Sequence, residues 1–182
     1  MSIERERRKL NFVRRWLKVG LSDETVDSLS RFPFLSGLTA HEVEIFGTFL
    51  ERREIEAGVN LFLAGDRGLT LFMLETGSVD ILKPLPDGSE KRLTTFTDKS
   101  FIGEIALLSD IARTATARST AACKLWLLYR EDFERLCKLK PPVAIKILWS
   151  LAAEMGLRLA RTNEMVANLA MERKQAMEKA AV

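Results

Sequence analysis

Residues 101–108 read FIGEIALL, and residues 112–117 read ARTATA. Together these runs place one glycine (Gly103), one carboxylate (Glu104) and one guanidinium (Arg113) in otherwise apolar surroundings. Burying a carboxylate and a guanidinium is costly unless a partner satisfies both groups. A small ligand with a sugar hydroxyl and a phosphate would do so, because the carboxylate accepts the hydroxyl hydrogen bond and the planar guanidinium binds phosphate oxygens as a fork.

This pattern resembles the phosphate-binding cassette of cyclic-nucleotide-binding domains, which reads F-x-G-E-x-A-L, a short variable loop, and then R-[TSA]-A. The matching residues are, in order, Phe101, Gly103, Glu104, Ala106, Leu107, Arg113, Thr114 and Ala115. Eight matches in order form a specific signal. The alternative is a strand, turn and helix with a surface Glu–Arg pair, and such pairs contribute little to stability. We call residues 101–115 the cassette.

The resemblance implies a role for each matched position. Arg113 would pair with the cyclic phosphate, and Glu104 would accept a hydrogen bond from the ribose 2′-hydroxyl. The other ligand-binding residues that the resemblance implies are Gly103, which lets the backbone approach, Ile105 and Ala106, whose N–H groups open a short helix, Thr114, whose hydroxyl lies beside the phosphate, and Ala115, which lies in the same wall.

The composition is that of a protein able to bury a core. The chain has 182 residues, of which 47% are hydrophobic and 29% charged, enough for one domain with a helical extension. Residues 1–20 carry seven basic and two acidic side chains, a local charge of +5, which leaves −2 for the remainder because the net charge is +3. We expect this basic arm to pack on its own domain; contact with a membrane surface or a nucleic acid is the minority interpretation.

Cysteine usage and hydropathy bear on location. Cys123 and Cys137 are the two cysteines, too few for a disulfide framework, so a reducing cytoplasm is expected. Basic residues interrupt any apolar signal region near the N-terminus, and no stretch has the length of a membrane span. The sequence therefore predicts a cytoplasmic protein, with membrane attachment unlikely.

The first 49 residues are expected to form an N-terminal helical arm, with helices over 3–19, 23–30 and 40–49. Ser22 would cap the second helix, and Thr39 and Glu42 would form a capping box at the start of the third.

Residues 50–130 are expected to form the ligand-binding domain. Short alternating segments separated by glycine-containing turns predict strands there, as in a sandwich or barrel. The predicted strands are Arg52–Ile55, Asn60–Leu63, Thr70–Glu75, Ser78–Lys83, Lys91–Phe96, Thr114–Arg118 and Lys124–Tyr129. The fold class is therefore mainly β with flanking helices, and the resemblance implies an eight-stranded β jelly-roll barrel.

Residues 131–182 are expected to be helical. A short helix over Glu131–Lys138 would stop at Pro141 and Pro142, and a long helix would start at about residue 143. Apolar residues then recur at alternating three- and four-residue spacings, which favours a two-helix dimer seam. The seam residues are Ile145, Leu148, Ala152, Met155, Leu159, Thr162, Val166 and Leu169. Packing of this helix on its own barrel is the alternative.

This long helix also resembles the dimer helix of the catabolite-activator class of bacterial cAMP receptors. The matching residues are Arg158, Thr162, Asn163 and the run Val166–Ala170. The resemblance implies that Arg158 lies near Glu104, that Thr162 contacts the adenine amino group, and that Asn163 reaches the ligand across the dimer. That class has serine where Asn163 stands. Thr162 could instead be a polar seam residue that sets the register.

The predicted function is that of a cyclic-nucleotide sensor, with cAMP ranked first and cGMP second, because Thr162 favours cAMP and Thr114 suits either base. It would be a homodimer that signals to an unknown protein effector, and we expect no DNA-binding domain, because too few residues follow Ala170. An enzyme on a jelly roll, such as a metal-dependent cupin, is disfavoured because His41 is the sole histidine. A ligand-free dimeric interaction scaffold is the remaining alternative.

Overall fold

A computed structural model describes residues 2–3 and 21–180 of the chain. Apart from Ile3, the basic helix predicted over 3–19 lies outside the described residues. No helix of the described part is both long and apolar enough to pass through a bilayer.

Two short helices precede the strands, with the predicted caps. Helix α1 spans Asp23–Ser30, and the Ser22 hydroxyl accepts a hydrogen bond from the Thr25 N–H. A 3-10 helix at Pro33–Leu35 leads to α2, Ala40–Gly47. The Thr39 hydroxyl and the Glu42 carboxylate form the reciprocal capping box, at 3.3 and 2.8 Å, which confirms that prediction.

Eight strands follow within the described residues. They are β1 (Glu51–Ile55), β2 (Asn60–Phe62), β3 (Thr70–Thr76), β4 (Ser78–Pro84), β5 (Glu90–Thr97), β6 (Ser100–Ile102), β7 (Thr116–Ser119) and β8 (Cys123–Tyr129). Sheet 1 has the order β1-β8-β3-β6 and sheet 2 the order β2-β7-β4-β5, and every pair is antiparallel.

The strand arrangement corrects two expectations. The described strands form two separate four-stranded sheets, so a closed eight-stranded barrel is not confirmed. The edge strands β2 and β6 have only three residues each, and such short edges offer few ladder hydrogen bonds with which to close a barrel. Strand β6 itself was not predicted, because residues 100–102 are too short to show an alternating pattern.

Two apolar clusters fill the domain. Alternation along β3 sends Leu71 and Met73 to the cluster beneath the helices, and Phe72 and Leu74 to the cluster between the sheets. Strand β8 is buried on both faces in the same way, which explains its nearly continuous apolar run. Sheet 1 is therefore the central layer, with helices on one side and sheet 2 on the other.

Two helices end the described chain: α4 spans Arg130–Leu139, and α5 spans Pro141–Ala180. Lys140 alone separates them, because the two prolines begin α5, where their missing N–H groups need no partner. The first turns of α5 are buried at Val143, Ile147 and Leu151. Every side chain from Leu159 to Met177 is exposed, so the 40-residue helix, about 60 Å long, leaves the body of the domain near Arg158.

Candidate functional site

A pocket opens between sheet 2, the cassette and α5. Its volume of about 170 Å³ is roughly ten times what one bound water needs, so it suits an organic ligand rather than a single ion. The lining residues are Phe62, Ile81, Phe96, Ile102, Gly103, Glu104, Ile105, Ile111, Ala112, Arg113, Thr114, Ala115 and Arg158. One wall is apolar, and the polar groups converge from the cassette and from α5.

Gly103 makes the turn that brings the cassette to the pocket. Its φ is +83°, in the left-handed region that favours glycine. A Cβ on this residue would collide with the Arg113 guanidinium and would lie 3.0 Å from the Thr70 carbonyl oxygen. Gly103 is therefore required both for its backbone conformation and for the close approach of Arg113.

Arg113 is the buried cation of the site, only 7% exposed. Its Nη2 donates to the Thr70 carbonyl at 2.6 Å, and its Nη1 donates to the Gly103 carbonyl at 3.2 Å. The guanidinium lies over the Phe62 ring at 4.0 Å and near the Phe72 ring at 5.9 Å. These contacts fix the plane of the fork at the pocket wall, the geometry that an anion-binding arginine needs.

Glu104 and Arg158 lie side by side, although 54 positions separate them. Their charged groups are 3.5 Å apart, and the side chains are 13% and 24% exposed. Arg158 also donates to the Phe101 carbonyl at 3.1 Å and to Glu154 at 3.2 Å. Its guanidinium contacts the Phe96 ring at 5.0 Å and the Phe101 ring at 4.4 Å. The structure thus places Arg158 near Glu104, as the sequence predicts, within a single chain.

The other predicted cassette residues lie on α3 or just before β7. Ile105 and Ala106 begin α3, Ile105–Leu108, and Glu104 is its N-terminal flanking residue. The Ala106 side chain lies outside the described part. Thr114 is exposed and Ala115 is buried, and both line the pocket. The Lys83 ammonium donates to the Thr114 carbonyl at 3.0 Å, which brings a further cation to this rim.

Thr162 and Asn163 are not brought to the pocket in this single chain. Both are exposed, and neither is among its described lining residues. The Thr162 hydroxyl donates to the Arg158 carbonyl at 2.8 Å, one helical turn back. A threonine in a helix can always satisfy its hydroxyl in this way, so its ligand contact stays a prediction.

Sequence reasoning missed the apolar wall. Phe62, Ile81 and Phe96 come from three different strands, and Ile111 and Ala112 from the loop after α3. Alternation along β4 and β5 shows which residues share a face. Which face meets the cassette depends on how the two sheets pack, and no local signal carries that information.

The cysteines lie outside the pocket. Burial raises the pKa of both the Cys123 and the Cys137 thiol. A thiol with a raised pKa stays protonated at neutral pH and is a poor nucleophile. His41 lies on α2, where it faces Glu44 at 3.5 Å. Neither thiol and no described histidine therefore serves the pocket.

Comparison with known proteins points to one family. The family model described as cyclic nucleotide-binding domain matches residues 52–140. The cyclic AMP receptor protein of Thermus thermophilus is 31% identical over 127 residues, 70% of this chain and 57% of that protein. The cAMP-dependent protein kinase regulatory subunit of Neurospora crassa is 32% identical over 108 residues, 59% of this chain but 27% of its own length. This chain thus spans little more than half of the first relative and about a quarter of the second.

A solved structure agrees with these sequence matches. The crystal structure of the Thermus thermophilus catabolite activator protein superimposes with a TM-score of 0.68 at 28% identity, over 76% of this chain and 63% of the other. This likeness of fold and the cassette geometry of the present chain both agree with the matched family model. Residues 52–140 are therefore a cyclic nucleotide-binding domain homologous to bacterial cAMP receptor protein.

Proposed function

We propose that this protein is a cAMP sensor that binds the nucleotide in the cassette pocket. The observation that carries the proposal is the buried Arg113 guanidinium at the wall of a pocket that Glu104 also lines. A cyclic phosphate on Arg113 and a ribose 2′-hydroxyl on Glu104 would satisfy the two groups together. Phe62, Ile81 and Phe96 would then cover the apolar face of the base.

The ranking of cAMP before cGMP comes from the names of relatives and from the predicted role of Thr162. Relatives are named as cAMP receptors or as regulatory subunits of cAMP-dependent kinases. Thr162 would favour adenine if it reaches the base, whereas the exposed Thr114 could instead contact a guanine amino group. We therefore place cAMP first and cGMP second.

Calorimetric titration with cAMP and with cGMP tests this proposal. The informative variant is Arg113→Gln, since removing one member of a buried charged contact costs about 2–5 kcal/mol of binding, or at least about thirtyfold in Kd. Arg118→Gln is the matched control, because Arg118 lies on β7 and pairs with Glu90 and Asn60 outside the pocket.

Each result of the titration has a definite meaning. Tighter binding of cAMP than of cGMP, lost in Arg113→Gln but kept in Arg118→Gln, supports the proposal. Tighter binding of cGMP moves base recognition to Thr114. No heat with either nucleotide from the folded protein rejects the sensor and leaves the dimeric scaffold.

We further propose that α5 forms a homodimer and relays ligand binding to a protein effector. Its described outer part presents exposed apolar side chains that nothing in the single chain covers, among them Leu159 at 62%, Val166 at 60% and Leu169 at 58% exposure. The exposed apolar face continues toward the start of the helix through Trp149, at 79% exposure, which the predicted seam omits. Leu148, a predicted seam residue, packs instead against its own domain.

A second copy of α5 is a suitable cover, since apolar residues at three- and four-residue spacing pack between helices. Sedimentation equilibrium tests this. We expect Val166→Asp to shift the protein to monomer. Arg161→Gln, five residues earlier at an exposed polar position, is expected to leave the mass unchanged. A wild-type monomer at high micromolar concentration would reject the dimer and, with it, the relay through α5.

We also propose that the chain divides at the domain limits 1–49, 50–130 and 131–182, and that the protein is cytoplasmic. The proposal assigns the protein no catalytic role.

A further inference from the structure

The loop that follows α3 within the cassette is held by an arginine that the binding motif does not include. Arg130, the first residue of α4, directs its guanidinium to the Ser109 carbonyl and to the Asp110 carboxylate. Its side chain is 16% exposed, whereas that of Asp110 is 79% exposed. Its backbone N–H donates to the Leu69 carbonyl at 2.9 Å. Arg130 is thus hydrogen-bonded to Leu69 through its backbone and to the Ser109–Asp110 loop through its side chain.

The backbone contact of Arg130 lies next to the hydrogen bond that holds Arg113. Leu69 is followed by Thr70, whose carbonyl accepts the 2.6 Å hydrogen bond from Arg113. Tyr129, which precedes Arg130, is the ladder partner of Thr70. Arg113 and Arg130 therefore attach to the carbonyls of two adjacent residues where β3 begins, Arg113 from the cassette and Arg130 from α4.

The cassette contains a short segment, residues 104–111, that precedes the backbone contacts of residues 112–113 with Gly65, Asp66 and Arg67. In this segment, helix α3 has four residues, and Leu107 is buried in the cluster beneath the helices. Ile111, in the loop after α3, is exposed by 58%. A loop with few buried contacts opens easily, so the contacts that this loop makes with other elements determine its position.

Contacts on both sides of α3 come from one helical unit. Arg158 on α5 contacts the cassette at Phe101 and Glu104, and Arg130 on α4 contacts the Ser109–Asp110 loop. Helices α4 and α5 are separated by one residue and share the buried cluster that contains Leu136 and Ile147. A shift of the cassette would therefore act on the same helix pair at two points.

We propose that Arg130 is a positioning residue that couples occupancy of the pocket to α4 through the Ser109–Asp110 loop. The ligand-dependent half of this inference rests on the proposed function. A phosphate bound to Arg113 would order residues 112–113. The Ser109–Asp110 loop, which lies just before them in the chain, would be ordered with them. Its contacts with Arg130 would then strengthen. By linkage, α4 then becomes more stable when the pocket is filled.

Hydrogen exchange measured by mass spectrometry on the full chain, with and without cAMP, tests both halves. The variant is Arg130→Gln, and the control is Arg135→Gln on the same helix, since Arg135 contacts Asp132 and Phe49 but no cassette residue in the described part. Without ligand, we expect amides of residues 107–112 to exchange about tenfold faster in Arg130→Gln, the size of one lost hydrogen bond to a charged group. Arg135→Gln should match the wild type.

With cAMP, Arg130→Gln should keep the protection of the cassette start, where Gly103 and Glu104 are intact, but lose most of the protection that the ligand confers on residues 131–139. Unchanged protection of α4 in this variant would overturn the coupling. Unchanged exchange of residues 107–112 without ligand would overturn the positioning role. If the wild type does not bind cAMP at all, the proposed function and the coupling fail together, while the ligand-free comparison still decides whether Arg130 positions the loop.

A second variant covers the case in which Arg130→Gln does not fold. Asp110→Asn changes an exposed side chain and should reproduce part of the faster exchange. The double variant should then exchange no faster than Arg130→Gln. Fully additive effects of the two substitutions would show that the two residues do not act through one contact.

Discussion

Replacing Gly103 with alanine tests the geometry of the site through a single methyl group. Gly103 has a φ of +83°, and the added Cβ would collide with the Arg113 guanidinium and approach the Thr70 carbonyl to 3.0 Å. Two separate penalties follow. One is the strain of a left-handed backbone in a residue other than glycine, and the other is the displacement of Arg113 from its two carbonyl acceptors.

The two penalties can be estimated separately. Left-handed strain costs about 1–2 kcal/mol for alanine. Loss of one hydrogen bond from a charged donor adds about 1.5–3 kcal/mol, so the total is about 2.5–5 kcal/mol. For a domain of this size each kcal/mol shifts Tm by roughly 2–4 °C, so we expect Gly103→Ala to lower Tm by roughly 5–20 °C and to abolish detectable cAMP binding.

Two other glycines serve as matched controls for the same substitution. Gly58 has the same φ of +83° but open space around the added Cβ, so Gly58→Ala should show the strain alone, a loss of roughly 2–8 °C, with binding intact. Gly37 has neither a left-handed φ nor a neighbour within 4 Å. Gly37→Ala should be neutral or stabilising by about 0.4–1 kcal/mol, because alanine restricts the unfolded chain.

Differential scanning calorimetry and nucleotide titration of the three variants give the comparison. Equal Tm losses in Gly103→Ala and Gly58→Ala, with wild-type binding in both, would refute the claim that Gly103 makes room for Arg113. The Tm comparison does not depend on the identity of the ligand, so it tests the geometry even if cAMP is not the nucleotide.

Three further changes test other parts of the molecule. Hydrogen bonding to Lys146 and to the Thr39 cap lowers the pKa of Glu42 below its usual value. The stabilisation is fully present above the usual pKa and is lost as the pH falls through the lowered pKa, so Glu42→Gln should reduce Tm at pH 7, and the difference from the wild type should shrink as the pH falls. Glu104→Gln should narrow the preference for cAMP over 2′-deoxy-cAMP in competition titrations, because the 2′-hydroxyl loses a charged acceptor; an unchanged preference would remove Glu104 from ribose recognition. Leu127→Ala, at a fully buried position between the sheets, should cost about 2–5 kcal/mol in urea unfolding, and a loss below 1 kcal/mol would mean that this core is not packed as described.

Features with local causes could be predicted from the sequence. The caps at Ser22 and Thr39 depend on side chains that bond to the backbone three residues away. Six of the seven predicted strands lie within one residue of the observed ones at both ends, because turns and alternation are local signals. The seventh, predicted over Thr114–Arg118, begins at Thr116, because Thr114 and Ala115 still belong to the pocket wall.

Features that depend on distant partners could not be predicted in this way. The division into two sheets and the short strand β6 arise from ladder partners far away in the chain. The attachment of Arg130 to the loop at Ser109 has no sequence signature, because it depends on where α4 begins relative to the cassette. The same applies to the burial of Leu148 beneath its own domain, where the spacing alone favoured a seam position.

The sequence by itself determined the chemistry of the site, because the glycine, carboxylate and arginine of the cassette stand within eleven residues of one another. Only the tertiary structure decided which apolar wall faces them and that α4 and α5 contact the cassette on both sides of α3. The physical reason is the range of the interactions. Turn conformations and caps are set by neighbours along the chain, whereas a pocket exists only where sheets and helices distant in sequence bury their apolar faces together.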